Sequence, residues 1–245
     1  MIVVTTPTGK IGSQVLSNLL RTDVPLRVLV RDSSKLSQEI RNRAEIAIGS
    51  LDDEATLEPA FEGAESAFLL VPPLPKEAND ADYYLRFTRP ALTAIMRQGV
   101  KRVVGVSVLG RGSELSKHAG PITAALAKDK AIEACGVDYH ALWCPALMDN
   151  ILGNVQSIRE QGMFSSLSQP DLKAPQVATK DVGMMAASFL LDTSWSGQGG
   201  SAILGPEDVS FDDMASIMTA VLGKTIRLST SAGRCFQSSF DSARD

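Results

Sequence analysis

Ile2-Val3-Val4-Thr5-Thr6-Pro7-Thr8-Gly9-Lys10-Ile11-Gly12 follows the initial methionine, and Leu26-Arg27-Val28-Leu29-Val30-Arg31 lies a short way beyond. The first apolar run, bounded by a Thr/Pro/Gly turn, reads as a buried strand of a parallel sheet. From Lys10 to Leu20, Ile11, Val15, Leu16, Leu19 and Leu20 form one apolar stripe, the pattern of an amphipathic helix. A glycine-bearing turn entering a helix presents free backbone N–H groups and the positive helix end, where a phosphate can sit. Leu26 to Val30 is then a second strand, and Arg31 closes it about 20 residues after the glycines. At that distance dinucleotide sites place an acid on the ribose of NAD or an arginine at the 2′-phosphate of NADP. The expected ligand is therefore NADP(H). The turn departs from G-x-G-x-x-G, because Thr6 and Thr8 stand where the first two glycines are usual and only Gly9 and Gly12 remain.

The chain has 245 residues, enough for a full core in one domain, and 44% of them are hydrophobic. Its net charge is −4, with acids and bases interspersed, so no basic stripe exists to grip nucleic acid. The N-terminal apolar stretch is too short to span a bilayer and has no charged region before it. Three widely spaced cysteines, Cys135, Cys144 and Cys235, read as reduced thiols of a cytoplasmic protein. His140 and Cys144 do not make a metal site, since four residues along a strand separate them by roughly 13 Å. No Gly-x-Ser-x-Gly elbow is present to suggest a hydrolase.

Strand-like and helical patterns alternate along the chain. Helices are expected over 33–41, 53–61, 80–98 and 123–135, with strands over 44–48, 66–71, 102–107 and 137–143. This alternation predicts a doubly wound parallel α/β sheet of the Rossmann type over residues 1–147. Residues 148–228 are expected to form a small C-terminal α/β substrate lobe interleaved with it. There, 148–160 reads as helix and 163–178 mostly as loop. Thr179 to Leu191 reads as helix with Thr179 as N-cap, and 202–204 as strand. Phe211 to Leu222 is a helix ended by Gly223, and 225–228 another strand. Residues 229–245 are serine-rich without periodicity and read as a disordered or altered tail.

With these motifs in place, the chain resembles the NmrA-like branch of the atypical short-chain dehydrogenase/reductase superfamily over about residues 1–226. The landmarks are Thr-Gly-Lys-Ile-Gly at 8–12, Arg-Val-Leu-Val-Arg at 27–31, Gly-Ser-Leu-Asp-Asp at 49–53 and Phe-Leu-Leu-Val-Pro-Pro at 68–73. Gly-Val-Asp-Tyr-His-Ala-Leu-Trp-Cys-Pro at 136–145 and Leu-Gly-Pro-Glu-Asp-Val-Ser-Phe at 204–211 complete the set. The resemblance implies that Thr8, Gly9, Lys10, Ile11 and Gly12, with Thr6 before them, cradle a pyrophosphate. It further implies Arg31 and Lys35 at the 2′-phosphate, Leu51 and Asp52 beside adenine, and Val71, Pro72 and Pro73 along the ribose and nicotinamide passage.

For catalysis the family pattern is broken. No tyrosine begins a Tyr-x-x-x-Lys: Tyr83, Tyr84 and Tyr139 are followed four residues on by Phe87, Thr88 and Trp143. Enzymes resembling isoflavone reductase carry a lysine where this chain has Ala125. Lys128, a turn later on the same helical face, is the candidate substitute; otherwise a lysine on this helix is expected in solvent. Ser107 ends the fifth strand, where the superfamily often places a hydroxyl near nicotinamide, and His118 in the following loop is a candidate proton donor. The expected activity is hydride transfer from NADPH to a small organic carbonyl, quinone or imine held among Pro72–Pro75, the Ser107–His118 loop and Met148–Asn150. The alternative is a non-catalytic NAD(P)-sensing regulator of a protein partner.

Overall fold

The computed structural model describes residues 1–71, 80–114, 116, 119–166 and 168–229. Strand β1 (Ile2–Thr5) is buried throughout, as a strand covered on both faces must be. Helix α1 (Lys10–Leu19) buries Ile11, Gly12, Val15, Leu16 and Leu19, the stripe written in its sequence. Strand β2 (Leu26–Val30) leads through a short 3₁₀ turn, Ser33–Lys35, to α2 (Gln38–Arg43), which Ser37 caps by accepting from the Ile40 N–H. The helix expected over 33–41 is thus two pieces, because the Asp32 side chain closes its own turn on Ser34 first.

Strand β3 (Ala44–Ile48) lies at a sheet edge with Ile48 exposed. Asp53 caps α3 (Glu54–Phe61), and β4 (Ser66–Leu69) stops two residues short of Val71. There follow α4 (Asp80–Arg97), β5 (Arg102–Val108), α5 (Pro121–Ala134, with proline at its first turn) and β6 (Asp138–Cys144). After β7 (Ala146–Leu147), a 3₁₀ stretch over Met148–Asn154 runs into α6 (Val155–Gln161), so only the second half of the expected 148–160 helix is α-helical. Two strands, β8 (Met163–Ser165) and β9 (Ala174–Val177), occupy the expected loop. Helix α7 (Thr179–Leu191) precedes β10 (Gln198–Ala202), β11 (Asp208–Val209), α8 (Phe211–Leu222) and β12 (Arg227–Ser229).

The main sheet has seven strands in the order β10-β6-β5-β4-β1-β2-β3, and every neighbouring pair is parallel. The chain builds outward from β1 to β3 and then returns to β1's other side with β4. Helices flank the sheet: Val3, Leu29, Ala67, Leu69, Val103 and Tyr139 join one core with residues of α3, α4 and α5. Alternate residues such as Ile2, Val4 and Val28 are buried on the opposite face. The seventh strand corrects the expectation of a strand over 202–204. Gln198-Gly-Gly-Ser-Ala202 has no apolar run, yet it pairs in register with Tyr139–Trp143. A Cβ at Gly200 would strike the Trp143 indole and the Ala141 carbonyl, so only glycine lets the strand lie this close.

The described chain divides into two compact units. The first comprises Met1–Pro145 with Thr179–Ile203, so α7 and β10 belong to it and not to the lobe that the sequence placed at 148–228. The second, Ala146–Ala178 with the described residues 204–229, holds the sheets β11-β9-β7 and β12-β8. Its core is Ile158, Phe164 and Ile226, packed by Phe211, Met214, Ala215, Met218 and Leu228. From the tail expected over 229–245, Ser229 ends β12 and the rest lies outside the described residues. Among the described residues no helix is long and apolar enough to cross a membrane.

Candidate functional site

The site begins where β1 stops. Thr5 Oγ1 donates to the Phe68 carbonyl at 2.9 Å and accepts from the Leu70 N–H at 3.2 Å, fastening the ends of β1 and β4 where the strand order reverses. In an open α/β sheet this switch point is where a ligand crevice forms. Thr6 then turns with φ of 50°, and its carbonyl accepts from the Gly9 N–H at 3.0 Å. A β-branched residue at positive φ is strained, which explains why glycine is usual at this position. A Cβ at Gly12 would collide with the Thr6 carbonyl oxygen, so the third position of the motif keeps its glycine for close packing. Gly9 begins α1 with no side-chain cap and no acid in the first turn, and Thr6 Oγ1 is buried without a hydrogen-bond partner among the described residues. The turn therefore offers uncapped amides, a helix dipole and one unsatisfied hydroxyl.

A cavity of about 310 Å³ opens on this turn. Thr6, Pro7, Thr8 and Gly9 line one part, Leu29, Val30 and Arg31 the end of β2, and Gly49, Ser50 and Leu51 the loop after β3. Tyr83 and Phe87, one turn apart on α4, complete it with ring centroids 4.8 Å apart. The cavity thus unites five of the residues expected from sequence: Thr6, Thr8, Gly9, Arg31 and Leu51. Lys10, Ile11 and Gly12 form the first turn of α1 behind it. Asp52 sits one residue past the lining and accepts from the Ser50 hydroxyl at 2.5 Å, and Lys35 is exposed at the end of the 3₁₀ turn. Val71 is buried after β4, while Pro72, Pro73 and His118 lie outside the described residues. Tyr83 and Phe87 were not anticipated. Their only sequence signal is an i, i+4 aromatic pair on a helix, which reads equally as core.

Asp32, next to Arg31, accepts from the Ser34 hydroxyl at 2.7 Å and the Ser34 N–H at 3.0 Å. These two bonds, hydroxyl first, hold its carboxyl below the usual range.

A second constellation lies between α5 and strands β5 and β6. Asp129 is fully buried and accepts from the Ser107 hydroxyl and from the Tyr139 phenol, the latter at 2.7 Å. Lys128, only 1% exposed, sets its ammonium 3.0 Å from the Asp129 carboxylate and 2.7 Å from the Val106 carbonyl. Lys128 is therefore a core residue and not a solvated helix lysine, with Lys130 exposed beyond it. Burial pushes the Tyr139 phenol well up, and the adjacent Asp129 charge pushes it further. Burial likewise drives the Cys144 thiol to about 12, against the opposing pull of Lys128. The residue types of a Ser/Tyr/Lys proton relay are present together, but closed into the core around a carboxylate. Among the described residues no three His, Cys, Asp or Glu side chains gather as metal ligands.

The model of the NmrA-like family matches residues 1–240. NAD(P)H azoreductase of Xenophilus azovorans is 25% identical over 227 residues, covering 93% of this chain and 76% of that protein. A (4-alkanoyl-5-oxo-2,5-dihydrofuran-3-yl)methyl phosphate reductase of Streptomyces griseus is 27% identical over 228 residues, with the same coverage of 93% and 76%. Among solved structures, the NADPH complex of an NADPH-dependent quinone oxidoreductase from Escherichia coli superposes with a TM-score of 0.80 at 21% identity, covering 100% of this chain and 83% of that one. The Citrobacter sp. triphenylmethane reductase complexed with NADP(H) gives 0.79 at 19%, covering 94% and 79%. At these identities the two structures establish a common fold.

Proposed function

The chain belongs to the NmrA-like family, and from that premise we propose that it is an NADPH-dependent oxidoreductase acting on a small organic carbonyl, quinone or imine. One observation carries the reading: the turn at Thr6–Gly9, which has no side-chain cap, and Arg31 line a single cavity at the switch point of a parallel sheet. That donor set fits a dinucleotide. The N–H groups opening α1 and the unsatisfied Thr6 hydroxyl suit a pyrophosphate, with Thr8, Gly9, Lys10, Ile11 and Gly12 forming the cradle. Arg31, supported by Lys35, suits a 2′-phosphate. Arg31 lines the cavity while Asp32, beside it, turns its Oδ1 to Ser34 and is not part of the lining, which favours NADP(H) over NAD(H).

When bound, the reduced nicotinamide supplies the hydride. The chain's own task is then to orient the acceptor and keep the reacting centre ordered. An acceptor that delocalises the incoming charge takes its proton from water or a weak acid, which suits a chain without Tyr-x-x-x-Lys. Ser107 is the next-to-last residue of β5 and Lys128 holds the Val106 carbonyl just before it; we assign Lys128 a positioning role at that strand end. The relatives named above are reductases by description, which supports the reading. The test mixes the protein with NADPH and a panel of quinones, imines and enones. Loss of absorbance at the nicotinamide band is expected with at least one, and no loss with any of them opposes the proposal.

Ala125 and the internal engagement of Lys128 favour a second reading, a regulator that binds NAD(P) without turnover and signals to a protein partner. Tight NADPH binding, no oxidation across the panel and a partner affinity that differs between NADP⁺ and NADPH would select it.

A further inference from the structure

Exposed apolar side chains are unevenly shared between the two units. Among the described residues, more than half of the large ones belong to the second and smaller unit. Helix α8 carries most of this excess. Phe211, Met214, Ala215 and Met218 pack partly buried on the unit's core, and no residue of the helix is fully buried. The opposite side presents Ile217, Ala220 and Val221 to solvent, with Ile217 51% and Val221 78% exposed. These two are four residues apart and so share one face. Exposed Leu222 extends the apolar surface at the end of the helix, and exposed Leu172 at its start. The segment of Leu172 is tied there by the Asp212 N–H on the Pro170 carbonyl at 3.0 Å and by Lys173 at 3.6 Å from Asp213.

The charges around this face are sorted by sign. Asp212 and Asp213 stand in the first turn, outnumbering Lys173, while Lys224 follows the last turn and Arg227 begins β12. Lys224 donates to the Arg159 carbonyl at 2.7 Å, which fixes its ammonium near that end without cancelling its charge. The helix has 12 residues, so the acidic and basic ends are about 18 Å apart.

We propose that this face of α8 is a homodimer interface, on which a second copy of the chain lays its own α8 antiparallel. The order of the face selects that occupant. An acidic end, an apolar middle and a basic end complement the same surface only when it is reversed, and a two-fold axis performs that reversal. An axis between Ile217 and Ala220 sets Asp212 and Asp213 of one copy against Lys224 and Arg227 of the other. It also opposes the two helix dipoles, and the small Ala220 lets the axes approach. A single helix pair is a small interface, below about 1,200 Å² in total, so the dimer should form in the micromolar range. The proposal does not depend on the cofactor reading.

Sedimentation velocity on the full chain over a concentration series tests it, with a monomer–dimer equilibrium expected. Val221→Lys should raise the dissociation constant by at least about tenfold, because the charge enters the apolar seam twice. Val221 is mostly exposed, so this variant should keep its denaturation midpoint. Lys224→Glu should weaken the dimer by about threefold at low salt and by less at high salt. Ile48→Lys, on the exposed edge strand of the other unit, should leave it unchanged. A dimer that survives Val221→Lys, or that Ile48→Lys dissociates, overturns the proposal. So does a monomer at every concentration. If a Val221→Cys thiol in that monomer resists labelling, residues 230–245 cover the face in place of a second copy.

Discussion

Asp129 is the residue whose removal should be felt most. Its carboxylate is the acceptor for the Ser107 hydroxyl and the Tyr139 phenol, and it is the counter-charge of Lys128, all inside the core. Asp129→Ala leaves a buried ammonium with only the Val106 carbonyl and the Tyr139 hydroxyl oxygen, 3.5 Å away, and removes the acceptor of two hydroxyls. The expected cost is about 3–5 kcal/mol, measurable by urea denaturation. A loss below about 1 kcal/mol would mean that the pair is hydrated, contrary to its burial. None of this was legible in the sequence. Lys128 was singled out by its register with Ala125, but helical spacing says only which face a side chain shares. Whether that face meets solvent, ligand or core depends on residues 20 or so positions away. Thr6 is the opposite case: as the odd residue in a glycine motif it was visible, and its positive φ states why.

Among the elements, α8 shows how local chemistry writes itself into sequence. Ser210 accepts from the Asp213 N–H at 3.0 Å, Asp213 returns the bond to the Ser210 N–H at 2.9 Å, and Gly223 ends the helix. Both boundaries match the expected Phe211–Leu222, because cap and stop lie within four residues of the helix they control. Ser210→Ala should destabilise the protein by about 1 kcal/mol, read from the denaturation midpoint; an unchanged midpoint would show that α8 frays independently of the rest. Strand β10 was displaced in the reading for the converse reason. Its residues have low strand propensity, and its position follows from a place beside β6 and the room Gly200 leaves for Trp143.

The whole molecule should respond to mild acid through His140. Its ring stacks on Phe189 with centroids 3.7 Å apart, meets the edge of Trp195, and bonds Ser201 Oγ at 3.0 Å through Nε2. Burial holds this imidazole below its ordinary 6.5. The unfolded chain therefore binds the proton first as pH falls. The stability contributed by neutral His140 is complete above about 6.5 and is lost on descending through that value to the folded one. Denaturation midpoints at pH 7.5 and 5.5 should drop in the native protein, and by less in His140→Gln. An equal drop in both would assign the effect elsewhere.

By itself, the sequence determined the class of fold, the strand that starts it and the glycine-bearing turn that follows. Each is set by residues adjacent in the chain: an apolar run, two glycines and an arginine at the next strand end. Only the tertiary structure decided that Arg31 shares a cavity with Tyr83 and Phe87, that Gln198–Ala202 completes the main sheet, and that Lys128 is neutralised inside the core. Those facts concern pairs of distant segments, and burial and electrostatic partnership arise only when packing brings such segments together.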